Sequence, residues 1–228
     1  MTLHGIVFDF DGVIANSEPL HFQGFRKVLA AEGVVLSESD YYERYLGFDD
    51  AAAFVAIAAD HGQTWSASHI ATLVERKAVL LAELETRQSV LFPGAATTIR
   101  RLAAGGPLAI ASGALRAEIL RVLVREGLDG CFALIVGAED AEASKPSPAP
   151  YLRAVERLAA GGVGPADPRA YVAVEDSHWG LESARAAGLR TVAVTHTYPA
   201  ESLSADWTVS TLEELTWERL ETRTASRT

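Results

Sequence analysis

Ile6-Val7-Phe8-Asp9-Phe10-Asp11-Gly12 decides the reading of this chain. An apolar, strand-forming run ends in two carboxylates one residue apart, and then a glycine. A short continuous apolar run of this kind predicts a strand buried on both faces of a parallel sheet. In open α/β sheets, ligands bind just beyond the carboxyl ends of such strands. Asp9 and Asp11 are therefore expected at a binding crevice, both side chains on the same side by the two-residue period. Two carboxylates so close are costly as bare anions. They are expected to hold a cation, share a proton, or divide nucleophilic and acid–base work.

Four later segments have the same form. Leu108-Ala109-Ile110-Ala111 ends at Ser112-Gly113, and Ala133-Leu134-Ile135-Val136 ends at Gly137, shortly before Ser144-Lys145-Pro146. Tyr171-Val172-Ala173-Val174 ends at Glu175-Asp176-Ser177, and Thr191-Val192-Ala193-Val194 ends at Thr195-His196. Helical patterns separate them: Leu115 to Leu128 with a stop at Gly127, Pro150 to Ala160, and Leu181 to Ala187 before Gly188. Strands alternating with helices predict a doubly wound, Rossmann-like parallel sheet of the α/β class. Residues 18–91 differ, with helical periodicity and no strand pattern. They are expected to form an α-helical cap inserted into a core made of residues 1–17 and 92–228. Pro19 and Pro93-Gly94 mark the junctions, where helix breakers suit hinges. A helical unit on two connectors has the form of a lid.

The bulk properties narrow the function. The chain has 228 residues, 49% of them hydrophobic, and a net charge of −10, which argues against nucleic acid as a main partner. No run of about 18 apolar residues suggests a membrane span. The start runs directly into a strand without the regions of a signal peptide, and Cys131 is the sole cysteine; a reducing cytoplasm is expected. Lysine occurs only at Lys27, Lys77 and Lys145, against 17 arginines, which draws attention to each. A monomer or weak homodimer is expected.

Taken alone, each strand end has an ordinary explanation, since Ser112 and Glu175-Asp176 suit helix caps and first turns. Together they place Asp9, Asp11, Ser112, the loop of Lys145, Glu175 and Asp176 on one sheet edge. Four carboxylates there need a counter-ion, because two unit charges at about 4 Å repel by about 4 kcal/mol at an effective dielectric of 20. All the ligand atoms are oxygens, so a hard ion such as Mg2+ is favoured over zinc. The Ser112 hydroxyl, the Gly113 amide, the Lys145 ammonium and the helix start near Ala114 form an anion cradle. The predicted crevice suits a metal-bound phosphoryl group.

Asp9-Phe10-Asp11-Gly12-Val13, Ala111-Ser112-Gly113, Ser144-Lys145-Pro146, Glu175-Asp176-Ser177 with Gly180, and Ser17-Glu18-Pro19-Leu20-His21 form a set that resembles the haloacid dehalogenase superfamily. Within it, the chain is similar to the β-phosphoglucomutase-like phosphatases with a helical cap. The resemblance implies Asp9 as nucleophile and Asp11 as general acid and base. Mg2+ would be held by Asp9, the Asp11 backbone carbonyl, Asp176, and Glu175 directly or through water. Ser112 and Lys145 would hold phosphoryl oxygens. It implies a small phosphorylated substrate, met by Glu18, His21, Lys77, Gly113 and Arg116, with Arg44 a further candidate. Halide-displacing relatives need no acid at the Asp11 position, and phosphonate-cleaving relatives carry a small residue there; both are disfavoured. A phosphosugar mutase is the alternative. Mutases of this type carry basic residues in a cap loop, whereas Leu46-Gly47-Phe48-Asp49-Asp50 is apolar and acidic, which favours hydrolysis.

Overall fold

The sheet begins at β1 (Gly5–Phe8), four residues with no exposed side chain. The chain then runs through α1 (Glu18–Ala31), a single turn α2 (Glu38–Asp40), a π-helical turn at Tyr41–Tyr45, α3 (Asp50–Asp60) and α4 (Ala67–Glu85). It continues with α5 (Ala95–Ala103), β2 (Leu108–Ala111), α6 (Arg116–Arg125), β3 (Leu134–Val136) and α7 (Ala149–Ala160). β4 (Tyr171–Glu175), α8 (His178–Ala186), β5 (Arg190–Val194), β6 (Trp207–Val209) and α9 (Trp217–Ala225) complete it. This computed structural model describes residues 3–46, 48, 50–86 and 89–225.

The six strands form one parallel sheet in the order β3-β2-β1-β4-β5-β6. The expected α/β class and doubly wound sheet hold. β1 is central, with Val7 level with Ala109 of β2 and Ala173 of β4. The order runs one way to β3 and the other way to β6, so the switch point falls at the carboxyl end of β1, where such sheets bind ligands. Val7, Ala109, Ala111 and Ala173 are fully buried against Tyr151, Ala154, Val155 and Leu158 of α7. Each such side chain removed from water stabilises the sheet by about 25 cal/mol per Å2 of apolar surface, and this packed layer supports the strands that carry the site.

The chain divides into two units, Met1–Asn16 with Val90–Thr228, and Ser17–Ser89. The second is all helix among the described residues. Phe22, Phe25, Val28, Leu29, Tyr41, Phe54, Ile57 and Leu73 form its core, and Pro19 sits in the first turn of α1, where its missing N–H costs nothing. In the first unit Gly94, in the left-handed region at φ 75°, caps α5.

Some local expectations need correction. The helix expected from near Ala114 begins at Arg116, with Leu115 as its cap, because Ser112 Oγ accepts the Ala114 N–H at 3.0 Å and holds the chain in a turn first. β6, α5 and α9 were not predicted.

Candidate active site

Four of the sequence-predicted residues meet at the carboxyl ends of β1 and β4. Asp9 follows β1 directly, and its N–H donates to Val174 O at 2.9 Å, locking it to β4. Glu175 ends β4 and Asp176 follows it. Lys145 arrives on the long connection from β3 to α7, and its Nζ donates to Asp9 Oδ1 and to Glu175 Oε1, each at 2.6 Å. Asp9, Glu175 and Asp176 are all buried, and each offers a carboxylate oxygen within 4.8 Å of the others.

Glu175 is held from every side. Tyr151 donates its hydroxyl to Oε1 at 2.8 Å, and Oε2 accepts from Asp176 N at 3.2 Å and from Ser177 Oγ at 3.3 Å. A Cβ on Gly180 would collide with this carboxylate, so glycine is required where α8 passes. Gly12 is constrained twice: its φ is 77°, and a Cβ there would collide with the Asp176 carboxylate.

The electrostatics follow from burial. Loss of water raises Asp9 to about 7, and Glu175 adds to the rise while Lys145 opposes it. Burial, then the charges of Asp9 and Glu175, raise Asp176 to about 8. Burial alone would lower the Lys145 ammonium, but Asp9 and Glu175 more than offset it and hold it charged. Three carboxyl groups thus face one ammonium; fully ionised, they would leave two negative charges for a divalent cation to neutralise, and without one they take up protons more readily. An all-oxygen, buried donor set of that charge fits a hard divalent ion.

Proton competition gives a test. The folded-state values of Asp9 and Asp176 lie above their ordinary value of 3.8. The metal-free fold therefore loses stability relative to the unfolded chain as pH climbs from about 4 to about 8. The gain in melting temperature on adding Mg2+ is expected to grow from about pH 5 to about pH 8. A gain independent of pH contradicts this donor set.

The other predicted residues are placed as follows. The Asp11 carboxylate is not one of the three clustered groups, though its charge contributes to raising Asp9. Ser112, 2% exposed, ends β2 beside β1, and its N–H donates to Val136 O at 3.0 Å. Gly113 is exposed, with open space where a Cβ would stand. Arg116 is committed to Asp140: its Nη2 donates to Oδ2 at 2.5 Å while Arg157 donates to Oδ1 at 2.7 Å. Burial would raise Asp140, but hydrogen bonds from Arg157, Gly137 N and Arg116 outweigh it and hold the carboxyl down at about 2.

In the helical unit Lys77 is fully buried. Its Nζ donates to His21 Nδ1 at 3.0 Å and to Asp50, and lies 4.3 Å from the centre of the Phe25 ring. Glu18, raised by burial, accepts the Tyr41 hydroxyl at 2.7 Å. Arg44 pairs with Asp60 at 2.5 Å. Of the acidic segment Leu46–Asp50, Gly47 and Asp49 lie outside the described residues.

Sequence reasoning missed Tyr151, Asp50, Tyr41, His196 and Thr197. His196 and Thr197 follow a recognised strand end, which was the available clue. Tyr151 looks like any aromatic on a buried helix face.

A parallel sheet with this buried carboxylate–lysine cluster at its switch point defines a hydrolase of known type. The chain belongs to the haloacid dehalogenase-like hydrolase family, whose model matches residues 6–194. It is 33% identical over 221 residues to Protein CbbY of Rhodobacter capsulatus, covering 93% of this chain and 95% of that one. Hexitol phosphatase B of Escherichia coli is 32% identical over 222 residues, covering 92% and 93%. The crystal structure of CbbY from Rhodobacter sphaeroides in complex with phosphate superposes with a TM-score of 0.79 at 27% identity, covering 94% of this chain and 96% of that chain. Among the described residues no helix is long and apolar enough to cross a membrane.

Proposed function

We propose that this phosphoric monoester hydrolase is a Mg2+-dependent phosphatase of a small phosphorylated metabolite, a sugar phosphate or similar monoester, working through an aspartyl phosphate on Asp9. The observation that carries the reading is the buried Asp9–Lys145–Glu175–Asp176 cluster, three carboxyl groups facing one ammonium. Support for the substrate class comes from the relatives: a hexitol phosphatase, and a CbbY solved with phosphate bound.

Bound Mg2+ would supply positive charge beside the phosphoryl oxygens; Asp9, Glu175 and Asp176, with the Asp11 backbone carbonyl, would hold it. The rest is the work of the chain's own groups. Lys145 opposes the burial that favours protonated Asp9 and holds Oδ1, which aims the other oxygen. That oxygen attacks phosphorus, and the bond to the leaving alkoxide breaks as Asp11 gives it a proton. A water then attacks the aspartyl phosphate while Asp11 takes back a proton, which frees phosphate and restores Asp9. Ser112, the Gly113 amide and Lys145 stabilise charge on the equatorial oxygens, the main demand of phosphoryl transfer. Within the helical unit Lys77 is fully buried against Asp50 and His21, and Glu18 holds the Tyr41 hydroxyl. Arg116 is assigned a supporting role beside Ser112, through the loop it ties down with Asp140.

The mutase alternative needs a cationic grip for a second phosphate. The segment Leu46–Asp50 carries none, and the buried Lys77 is already matched by Asp50. A panel of sugar and polyol phosphates tests the reading. Phosphate release is expected with Mg2+, lost on adding EDTA and restored by excess Mg2+. No release from any monoester at saturating Mg2+ overturns it.

A further inference from the structure

The turn after β5, Thr195-His196-Thr197, has no part in the chemistry above, yet it touches both loops that carry it. Its base is fixed by the sheet, since Thr195 N donates to Val209 O of β6 at 3.1 Å. The His196 ring donates Nδ1–H to the Gly12 carbonyl at 3.0 Å. It also lies flat on Phe92, with ring centres 3.8 Å apart and planes 23° from parallel. Thr197 donates its hydroxyl to Asp176 Oδ2.

The contacts of these partners show what the turn controls. Gly12 closes the turn after Asp11, its N–H donating to Ala15 O at 2.8 Å, and its Cα packs against Asp176. Phe92 lies on the returning strand of chain, where its N–H donates to Ile14 O at 3.0 Å and Leu91 bridges Ala15. One short turn therefore braces the loop of Asp9 and Asp11, the chain segment beside it, and the carboxylate of Asp176.

We propose that Thr197 and His196 are positioning residues, Thr197 orienting the Asp176 carboxylate toward the divalent ion and His196 pinning the Asp11-Gly12 turn. The inference rests on the metal-dependent reading given above. A hydroxyl donor suits the Asp176 position for a physical reason. Asp176 faces two other carboxylates, and a neutral donor fixes its orientation without adding a competing cation. Groups that orient a ligand's carboxylate typically change metal affinity by about 10- to 100-fold when lost. A small displacement of a catalytic loop lowers turnover by up to about 100-fold.

The test is calorimetric titration of MgCl2 into EDTA-stripped, desalted protein, beside steady-state kinetics and unfolding midpoints in EDTA. Thr197→Val is expected to weaken Mg2+ binding by about 10-fold or more, and Thr197→Ser, which keeps the hydroxyl, to bind within a few-fold of wild type. His196→Leu is expected to lower kcat by about 10-fold with KM and Mg2+ affinity little changed. His196→Asn, whose amide N–H can reach the Gly12 carbonyl, recovers most of that loss. If wild type binds Mg2+ while Thr197→Val binds it equally well, or Thr197→Ser binds as poorly as Thr197→Val, the clamp is wrong and the metal-dependent reading stands. The clamp is equally wrong if His196→Leu turns over like wild type. If wild type takes up no divalent ion, the reading itself falls and the clamp falls with it.

Discussion

Asp9→Asn is expected to reduce phosphate release at saturating Mg2+ by at least about 10^4-fold, the scale seen when a nucleophile working within a catalytic unit is removed. The amide matches the carboxylate in shape but is a far weaker nucleophile. The fold should survive the change. Lys145 retains Glu175 at 2.6 Å, and one of three crowded carboxyl groups is replaced by a neutral amide. The melting temperature of the metal-free variant is therefore expected to equal or exceed that of wild type. Asn at this position also offers the cation a neutral oxygen, so Mg2+ affinity should fall. A variant with more than about one-tenth of wild-type turnover would remove Asp9 from the nucleophile's role.

Lys145→Met is expected to strike activity and stability together. The ammonium is only 13% exposed on its side chain and pairs with two carboxylates. Its removal leaves Asp9, Glu175 and Asp176 buried with no cation of the protein's own. Breaking a buried pair in this way costs about 3–5 kcal/mol. Loss of a charged group at the phosphoryl oxygens lowers kcat by about 10^2- to 10^3-fold. The two losses separate by condition. The stability deficit of the metal-free variant should shrink as pH falls and the carboxylates protonate, because folded-state protonation then removes the uncompensated charge. Lys145→Arg is not expected to rescue, since the longer planar guanidinium must fit between two carboxylates and the Tyr151 ring, which lies 5.1 Å from Nζ. A metal-free Lys145→Met protein as stable as wild type at neutral pH would show that the cluster does not depend on this charge.

The sheet was largely legible because its strands are buried on both faces and so are continuously apolar: Ile6-Val7-Phe8 and Val172-Ala173-Val174 announce themselves. Trp207-Thr208-Val209 does not, because this edge strand has Thr208 exposed and Val209 buried, and a three-residue alternation is too short to read. Asp9, Lys145, Glu175 and Asp176 could be found because each stands where an apolar run or its following loop turns polar. Their supports could not be found this way. Tyr151 reaches Glu175 across 24 residues, and Thr197 reaches Asp176 across 21. Nothing local distinguishes such a tyrosine from a core aromatic, or such a threonine from a turn residue, until the topology brings the partners together. Arg116 shows the converse: its place near Ser112 suggested substrate, but Asp140 on the neighbouring loop claims its guanidinium. Asp50 shows it too: in the sequence it only marks an acidic segment, and the structure pairs it with the buried Lys77.

The mechanism turns on Asp9 itself taking the phosphoryl group before water does. The stereochemical course of hydrolysis, followed with a phosphate ester made chiral at phosphorus by oxygen isotopes and sulfur, reads this step without an intermediary. Capture by Asp9 followed by attack of water is two in-line displacements, so net retention of configuration is expected. Net inversion would mean a single displacement by water, and would rule out the aspartyl phosphate.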